Sequence, residues 1–389
     1  MKIAIFSDTF APLVNGVSSV VFQSALGLAE LGHTIKVFTV SAYNKKELNK
    51  ITSGKFEVIA LPSFKTPIYK GLRATLPVGM SILKVKKFNP DILHSHTPFA
   101  VGWEAVWANK MFNTPLVGTH HTFYDYYLKH VKLDYKWTKK PAGKFMVAYY
   151  NRCDLVLSPT HSLAEDLKKY KLKSPVEIMP NPVDTEFFKP AADTAVKEKL
   201  KSQMGITEKL LVYMGRVSYE KSINQILKAF ALGLKKSSGI KLMIVGDGPE
   251  TAKLKKLSAG LGISEHIIFT GFVFGQELLE KLQAADAFIT ASVSENMPIS
   301  ILEAMAAGLP IIATRTLGIP EIVKNGENGF LANTNGEEEL CEKILELLEN
   351  DRLLEKFGTA SRRCALNYSL PKTCKLLEDV YKKLIGKSR

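Results

Sequence analysis

The sequence predicts an α/β protein made of two doubly wound parallel sheets, and three observations carry that expectation. Short apolar runs alternate strictly with helix-compatible segments along the chain, the pattern that parallel sheets produce. At 389 residues the chain is long for a single core, so two domains are expected. A proline-rich stretch, "MPNPVDTEFFKPAADT", separates two such alternating halves and reads as a linker.

The elements follow in order. "KIAIFS" is a buried strand, and "NGVSSVVFQSALGLAELG" has helical periodicity with Gly32 as its stop. "TIKVFTV", "PDILHSH", "PLVGTHH" and "LVLSPT" repeat the strand signal through the first half. "KLLVYMGRVS", "IKLMIVGDG", "HIIFTGFV", "AFITASV" and "PIIAT" repeat it through the second. The expected domains are 1–185 and 186–369, facing each other across a central cleft.

Composition narrows the class. Hydrophobic residues make up 46% and charged residues 23%, as in a soluble globular protein. Cys153, Cys341, Cys364 and Cys374 form no CxxC pair and read as reduced thiols of a cytoplasmic protein. "MKIAIFSDTF" is too short an apolar run for a signal peptide, with Asp8 interrupting it, and no stretch reaches bilayer-spanning length. The net charge of +14 is uneven: residues 1–185 hold 24 Lys and Arg against 13 Asp and Glu, and the remainder 28 against 25. The first half therefore suits an anionic partner, whether lipid, nucleic acid or substrate, or else a solvated lysine-rich face. No nucleic-acid-reading motif is present.

Open parallel sheets bind ligands beyond the carboxyl ends of their strands, and glycine-marked loops lie there. In "PLVNGVSS", Gly16 opens a helix whose free amides suit an anion; a tight turn explains it equally. "MGRVSYEKS" puts Arg216 and Lys221 directly after a strand, a forked cation and a point charge suited to a diphosphate. Surface charge is the plain alternative. "VGDGPE" is a weak turn signal alone. No Walker loop occurs and no GxGxxG follows the first strand, which argues against a nicotinamide enzyme or an NTPase.

"SENMPISILEAMAAGLP" (294–310) is the most informative stretch. Glu295 lies in the loop after "AFITASV", and Pro298 fits the first helical turn. The amides of Ile299 and Ser300 then form a second anion site. Glu303, about five residues into this helix, can accept from two neighbouring hydroxyls such as those of a ribose. Glu295 can do the same for a sugar.

With "NGV" (15–17), "GRVSYEK" (215–221), "GDGPE" (246–250) and "NPVDTEFFKP" (181–190) in order, this stretch resembles the Glu-x7-Glu signature of the family 4 retaining glycosyltransferases. The resemblance covers essentially the whole chain. It implies the GT-B fold of two Rossmann-like domains, with the last helical segment, 370–389, crossing back to complete the first. It implies a nucleotide-sugar donor, no metal, and retention at the anomeric carbon. Arg216 and Lys221 would hold the diphosphate, Glu303 the ribose and Glu295 the transferred sugar. The backbone of Gly271, Phe272 and Val273 would hold the base, with Gly16, Asn296, Met297, Pro298, Ile299 and Ser300 completing the donor site. Where many members have "EGFG" this chain has "ENMP", and Pro298 removes one amide that could donate to phosphate.

Five of the eight histidines fall in "HSHTPF" and "GTHHTFYDYYLKHV". The resemblance assigns the histidine of the His-Thr pair, His121, to the donor sugar beside the reacting centre. His120 reads as packed, and His94 and His96 as either structural or acceptor-facing. Without cysteine or carboxylate neighbours at ligand spacing, zinc is a poor fit. The same stretches resemble the bacterial 1,2-diacylglycerol 3-glucosyltransferases, which implies UDP-glucose as donor, a membrane lipid as acceptor, and His96, Asp125, Tyr126 and Tyr127 on the acceptor side. "KHVKLDYKWTKKPAGK" (129–144) sets six lysines against one aspartate with Tyr135 and Trp137 interleaved, a composition suited to an anionic membrane surface. "FKTPIYKGLR" and "LKVKKF" add to it. The enzyme is thus expected in the cytoplasm, attached peripherally to the inner face of the membrane. A soluble or polysaccharide acceptor, a nucleotide-sugar epimerase and nucleic-acid binding are the alternatives.

Overall fold

A computed structural model describes residues 1–13, 15–66, 73–123 and 136–388. The chain divides into two units, Met1–Pro182 with Leu370–Arg389, and Val183–Ser369.

The first unit carries a seven-stranded sheet. Its strands are β1 (Lys2–Ser7), β2 (Thr34–Thr39), β3 (Glu57–Ala60), β6 (Ile92–Ser95), β7 (Leu116–Thr119), β8 (Leu155–Ser158) and β9 (Val176–Ile178), and β4 (Phe64–Lys65) and β5 (Arg73–Ala74) form a separate antiparallel pair. The sheet order is β3-β2-β1-β6-β7-β8-β9, with every pair parallel. The chain winds outward from β1 to one edge and returns on the other side, so the order reverses between β1 and β6. Ile3, Ala4, Ile5 and Phe6 of β1 are all buried, as a strand covered on both faces must be.

Helix Gly16–Glu30 follows β1 and begins with a capping box: the Asn15 side chain accepts from the Ser18 amide while the Ser18 hydroxyl accepts from the Asn15 amide. The C-terminal helix Leu370–Ser388 packs on it, placing Leu377, Val380 and Tyr381 in one cluster with Ile3, Ile5 and Leu28. Gly27 permits this approach, because a Cβ there would collide with Cys374 Sγ.

The second unit carries β10 (Lys209–Met214), β11 (Ile240–Val245), β12 (Ile267–Gly271), β13 (Ala287–Thr290), β14 (Ile311–Thr314) and β15 (Gly329–Ala332) in the parallel order β12-β11-β10-β13-β14-β15, reversing between β10 and β13. The proline-rich stretch is not a free linker. Val183 and Phe188 are buried, and Arg362 Nη1 donates to the carbonyls of Thr185 (3.0 Å), Phe188 (2.8 Å) and Ala306 (2.7 Å). Val183 also bridges to Ser369, which moves the boundary from the expected residue 185 to Pro182.

All four cysteines are free thiols. Among the described residues, no helix is long and apolar enough to cross a membrane.

Candidate active site

In the second unit, three loops at the carboxyl ends of β10, β11 and β12 are laced together by backbone hydrogen bonds. The Gly215 amide donates to Val245 O (3.0 Å), Val217 N to Asp247 O (3.0 Å), and Gly246 N to Gly271 O (2.8 Å). Glycine is required at 246 and 248, because a Cβ at either would overlap the carbonyl of Gly215 or Val217. The weak "VGDGPE" signal is therefore the scaffold of the loop that presents Arg216. Tyr213 adds to it by donating its hydroxyl to Arg216 O at 2.8 Å.

Arg216 is exposed, and the tight turn Tyr219–Lys221 that follows brings Lys221 into a direct ion pair with Glu295, both side chains partly buried. The loop after β13 fixes this pair: Ser292 Oγ and Val293 N both donate to Glu220 O, each at 3.2 Å. Ser292 is itself held by Thr314 Oγ1 (2.8 Å) and Thr316 Oγ1 (3.0 Å), which donate to its carbonyl. Sequence alone placed cation and carboxylate near one ligand. The structure joins them to each other across 74 residues of chain.

Pro298 stands one position ahead of its expected place. It caps helix Ile299–Ala306 from outside, with extended backbone, and its carbonyl accepts from Ile301 and Leu302. The amides of Ile299 and Ser300 thus precede the helical ladder and face the open end, so losing the proline donor leaves the helix start usable as an anion site. Glu303 sits at the fifth position of this helix, where burial pushes its carboxyl up to about 8. Gly271 ends β12, and Phe272 and Val273 follow it. Phe272 and its neighbour Phe274 are exposed, their rings stacked 6.1 Å apart.

In the first unit, the predicted residues gather at the carboxyl ends of β1, β6 and β7. Gly16 opens helix Gly16–Glu30, and among the described residues neither a left-handed φ nor a neighbour within 4 Å of a Cβ demands glycine there. His96 Nδ1 lies 3.0 Å from His121 Nε2. The His94 ring packs on His96 with centroids 4.1 Å apart, and its nitrogens reach Tyr381 Oη (2.5 Å) and Thr119 Oγ1 (2.6 Å). Burial drives His94 and His120 down to about 3, His121 to about 4, and His96 well below its ordinary value. Burial thus favours the uncharged form of all four rings at neutral pH. Among the described residues, no group of three or more His, Cys, Asp or Glu side chains is placed to hold a metal ion.

Asp8 was legible only as a break in an apolar run. At the end of β1 its carboxylate accepts from Thr97 Oγ1 (2.6 Å) and the Val101 amide (3.0 Å), while burial raises it to about 6. The expected acceptor residues Asp125, Tyr126 and Tyr127 lie outside the described residues, as do 129–135 of the basic segment and 67–72.

The fold is that of GT-B glycosyltransferases. Alr3699/HepE of Anabaena, solved with UDP, superposes with a TM-score of 0.81 at 18% identity, covering 98% of this chain and all of the other. The description Glycosyltransferase Family 4 matches residues 14–187, and Glycosyl transferases group 1 matches 196–363. An alpha-monoglucosyldiacylglycerol synthase of Acholeplasma laidlawii is 31% identical over the whole chain and 98% of its own length. A synthase of the same name from Streptococcus pneumoniae is 30% identical over 90% of this chain and 78% of its own. The chain belongs to glycosyltransferase family 4. It is accordingly an enzyme, a retaining hexosyltransferase, and the epimerase alternative is set aside.

Proposed function

We propose that this enzyme transfers glucose from UDP-glucose to a membrane lipid, 1,2-diacylglycerol, with retention and at the cytoplasmic face of the membrane. The observation that carries the donor half is the Lys221–Glu295 pair beside the open start of helix Ile299–Ala306. In this reading a diphosphate takes Lys221 from Glu295. Lys221, Arg216 and the amides of Ile299 and Ser300 then meet the charge that develops on the departing nucleoside diphosphate. Glu295, released, accepts from the sugar hydroxyls, and Glu303 holds the ribose. Gly271, Phe272 and Val273 hold the base, with the exposed rings of Phe272 and Phe274 offering it an apolar face. Asn296, Met297 and Pro298 complete the donor wall. On the first unit, Gly16 leaves room for the donor, His121 hydrogen-bonds the sugar, and His96, Asp125, Tyr126 and Tyr127 serve the acceptor. No metal is assigned a role: the cations and helix amides carry the charge.

The lipid acceptor rests on the two diacylglycerol-directed relatives, which span nearly the full chain, and on the excess positive charge of residues 1–185. The test is a panel of radiolabelled sugar donors against diacylglycerol in mixed vesicles, with product anomericity determined. An α-glucosyl lipid made from UDP-glucose is expected. Transfer only to a soluble or polysaccharide acceptor would replace the lipid half of the proposal, and no heat with any nucleotide sugar in calorimetry would remove the donor half.

A further inference from the structure

At the carboxyl ends of β1 and β2 the first unit holds a small cavity of about 10 Å³, room for one oxygen-sized group. Asp8, Thr9, Ser41 and Arg73 supply its polar wall, and Phe10 and Leu13 part of its apolar one. The carboxyl ends of parallel strands are where such sheets bind ligands. The cavity also adjoins the histidine cluster. Thr97, the residue after His96, accepts from the Asp8 amide (2.8 Å) and donates to the Asp8 carboxylate (2.6 Å).

Two donors in this wall are left over. Thr9 Oγ1 is buried and makes no hydrogen bond, although Ser7 Oγ satisfies both the amide and the carbonyl of Thr9. Arg73, on β5, is fixed by donating from Nε to Ser63 Oγ (2.8 Å) and from Nη2 to Ser63 O (2.6 Å), while Nη1 has no partner among the described residues. The other two polar groups are engaged. The Asp8 carboxylate accepts from Thr97 Oγ1 and the Val101 amide. Ser41 Oγ donates to Ala11 O (2.6 Å) and accepts from the Tyr43 amide (3.1 Å). A buried donor without an acceptor is costly, so the cavity is matched to one accepting oxygen.

We propose that this cavity takes an ester carbonyl of the acceptor lipid, with Thr9 and Arg73 donating to the carbonyl oxygen. The proposal rests on the diacylglycerol reading above and names the residues that select an acyl acceptor. In 1,2-diacylglycerol one ester stands on the carbon next to the one that carries the reacting hydroxyl, so fixing its carbonyl also orients that hydroxyl. Arg73 can only donate, so the group it meets must accept. Phe10 and Leu13 give the acyl chain leaving the ester an apolar surface. A site built to hydrogen-bond one group of its substrate discriminates against the analogue that lacks it. An ether-linked lipid is that analogue: it keeps the hydroxyl and the chains and has no carbonyl.

The test compares a short-chain 1,2-diacylglycerol with its 1,2-dialkyl ether analogue as acceptors in detergent micelles, using the full chain and UDP-glucose. Wild type is expected to favour the diacyl acceptor by about tenfold in kcat/KM, the worth of one hydrogen bond. Thr9→Val and Arg73→Met should each bring that ratio toward one by lowering transfer to the diacyl acceptor alone. Equal use of the two acceptors by wild type would overturn the proposal. Variants that lose equally on both acceptors would also overturn it, returning the cavity to a structural water or to the reacting hydroxyl. If wild type glucosylates neither lipid but does glucosylate a soluble acceptor, the lipid reading itself falls and the cavity's role with it, while the donor chemistry stands.

Discussion

Lys221 and Glu295 neutralise each other before any donor arrives, so removing either should affect the partner as well as the ligand. Lys221→Ala and Arg216→Ala are each expected to lower turnover by about 10²–10³, by analogy with loss of an oxyanion donor, with the fold intact by circular dichroism. Wild-type turnover in both would remove the diphosphate assignment. Glu303 gives a pH signature. Its carboxyl titrates near 8 in the folded chain against 4.5 ordinarily, so the unfolded chain releases this proton first. The native state therefore loses stability as pH rises from about 4.5 and the loss is complete above about 8. Glu303→Gln should raise the melting temperature relative to wild type at pH 8 but not at pH 4, while weakening UDP binding in calorimetry. His96 offers a different test. The amide nitrogen of Asn can stand where His96 Nδ1 stands, whereas Phe offers no polar atom there. His96→Asn should retain kcat within severalfold, and His96→Phe should lose about tenfold, the worth of one hydrogen bond. Equal losses in the two variants would show that His96 only fills space.

Among the elements, the C-terminal helix has the largest consequences. It supplies Leu377, Val380 and Tyr381 to the first core, and Tyr381 reaches the histidine cluster through His94. Its packing depends on a small residue opposite, so Gly27→Val, which would press into Cys374, should destabilise the first unit by about 1–3 kcal/mol. Chemical denaturation followed by a probe in that unit measures this, and an unchanged midpoint would contradict the packing. At this scale the sequence was partly legible. The strands could be read because each is a short apolar run bounded by turn residues, and the helix 299–306 because proline and small residues mark its ends. The proline-rich strap was misread as a linker because its anchoring comes from Arg362, which lies 177 residues from Thr185 along the chain. Local composition holds no trace of such a partner.

For the whole molecule, two units with separate sheets and cores are expected to respond to different conditions. The first holds four histidines kept neutral by burial, His94, His96, His120 and His121. Unfolded, they take protons near pH 6.5, so the first unit should lose stability as pH falls from about 6.5 toward 4. UDP, if it binds the second unit as proposed, should raise that unit's transition alone. Calorimetric scans across pH, with and without UDP, would resolve the two, and UDP stabilising only the acid-sensitive transition would reverse the assignment of the donor site.

The sequence by itself determined the alternation of strands and helices, the doubling of the sheet, the loops that carry Arg216, Lys221 and Glu295, and the helix that carries Glu303. Those follow from hydrophobic periodicity and turn chemistry, which act over a few residues. Only the tertiary structure decided that Lys221 binds Glu295, that Asp8 belongs with Thr97, that His96 faces His121, and that Glu104 accepts from the amides of the turn Gly79–Ser81. Each of these pairs is brought together by neighbouring strands or by helices packed against each other, over separations that local sequence cannot encode.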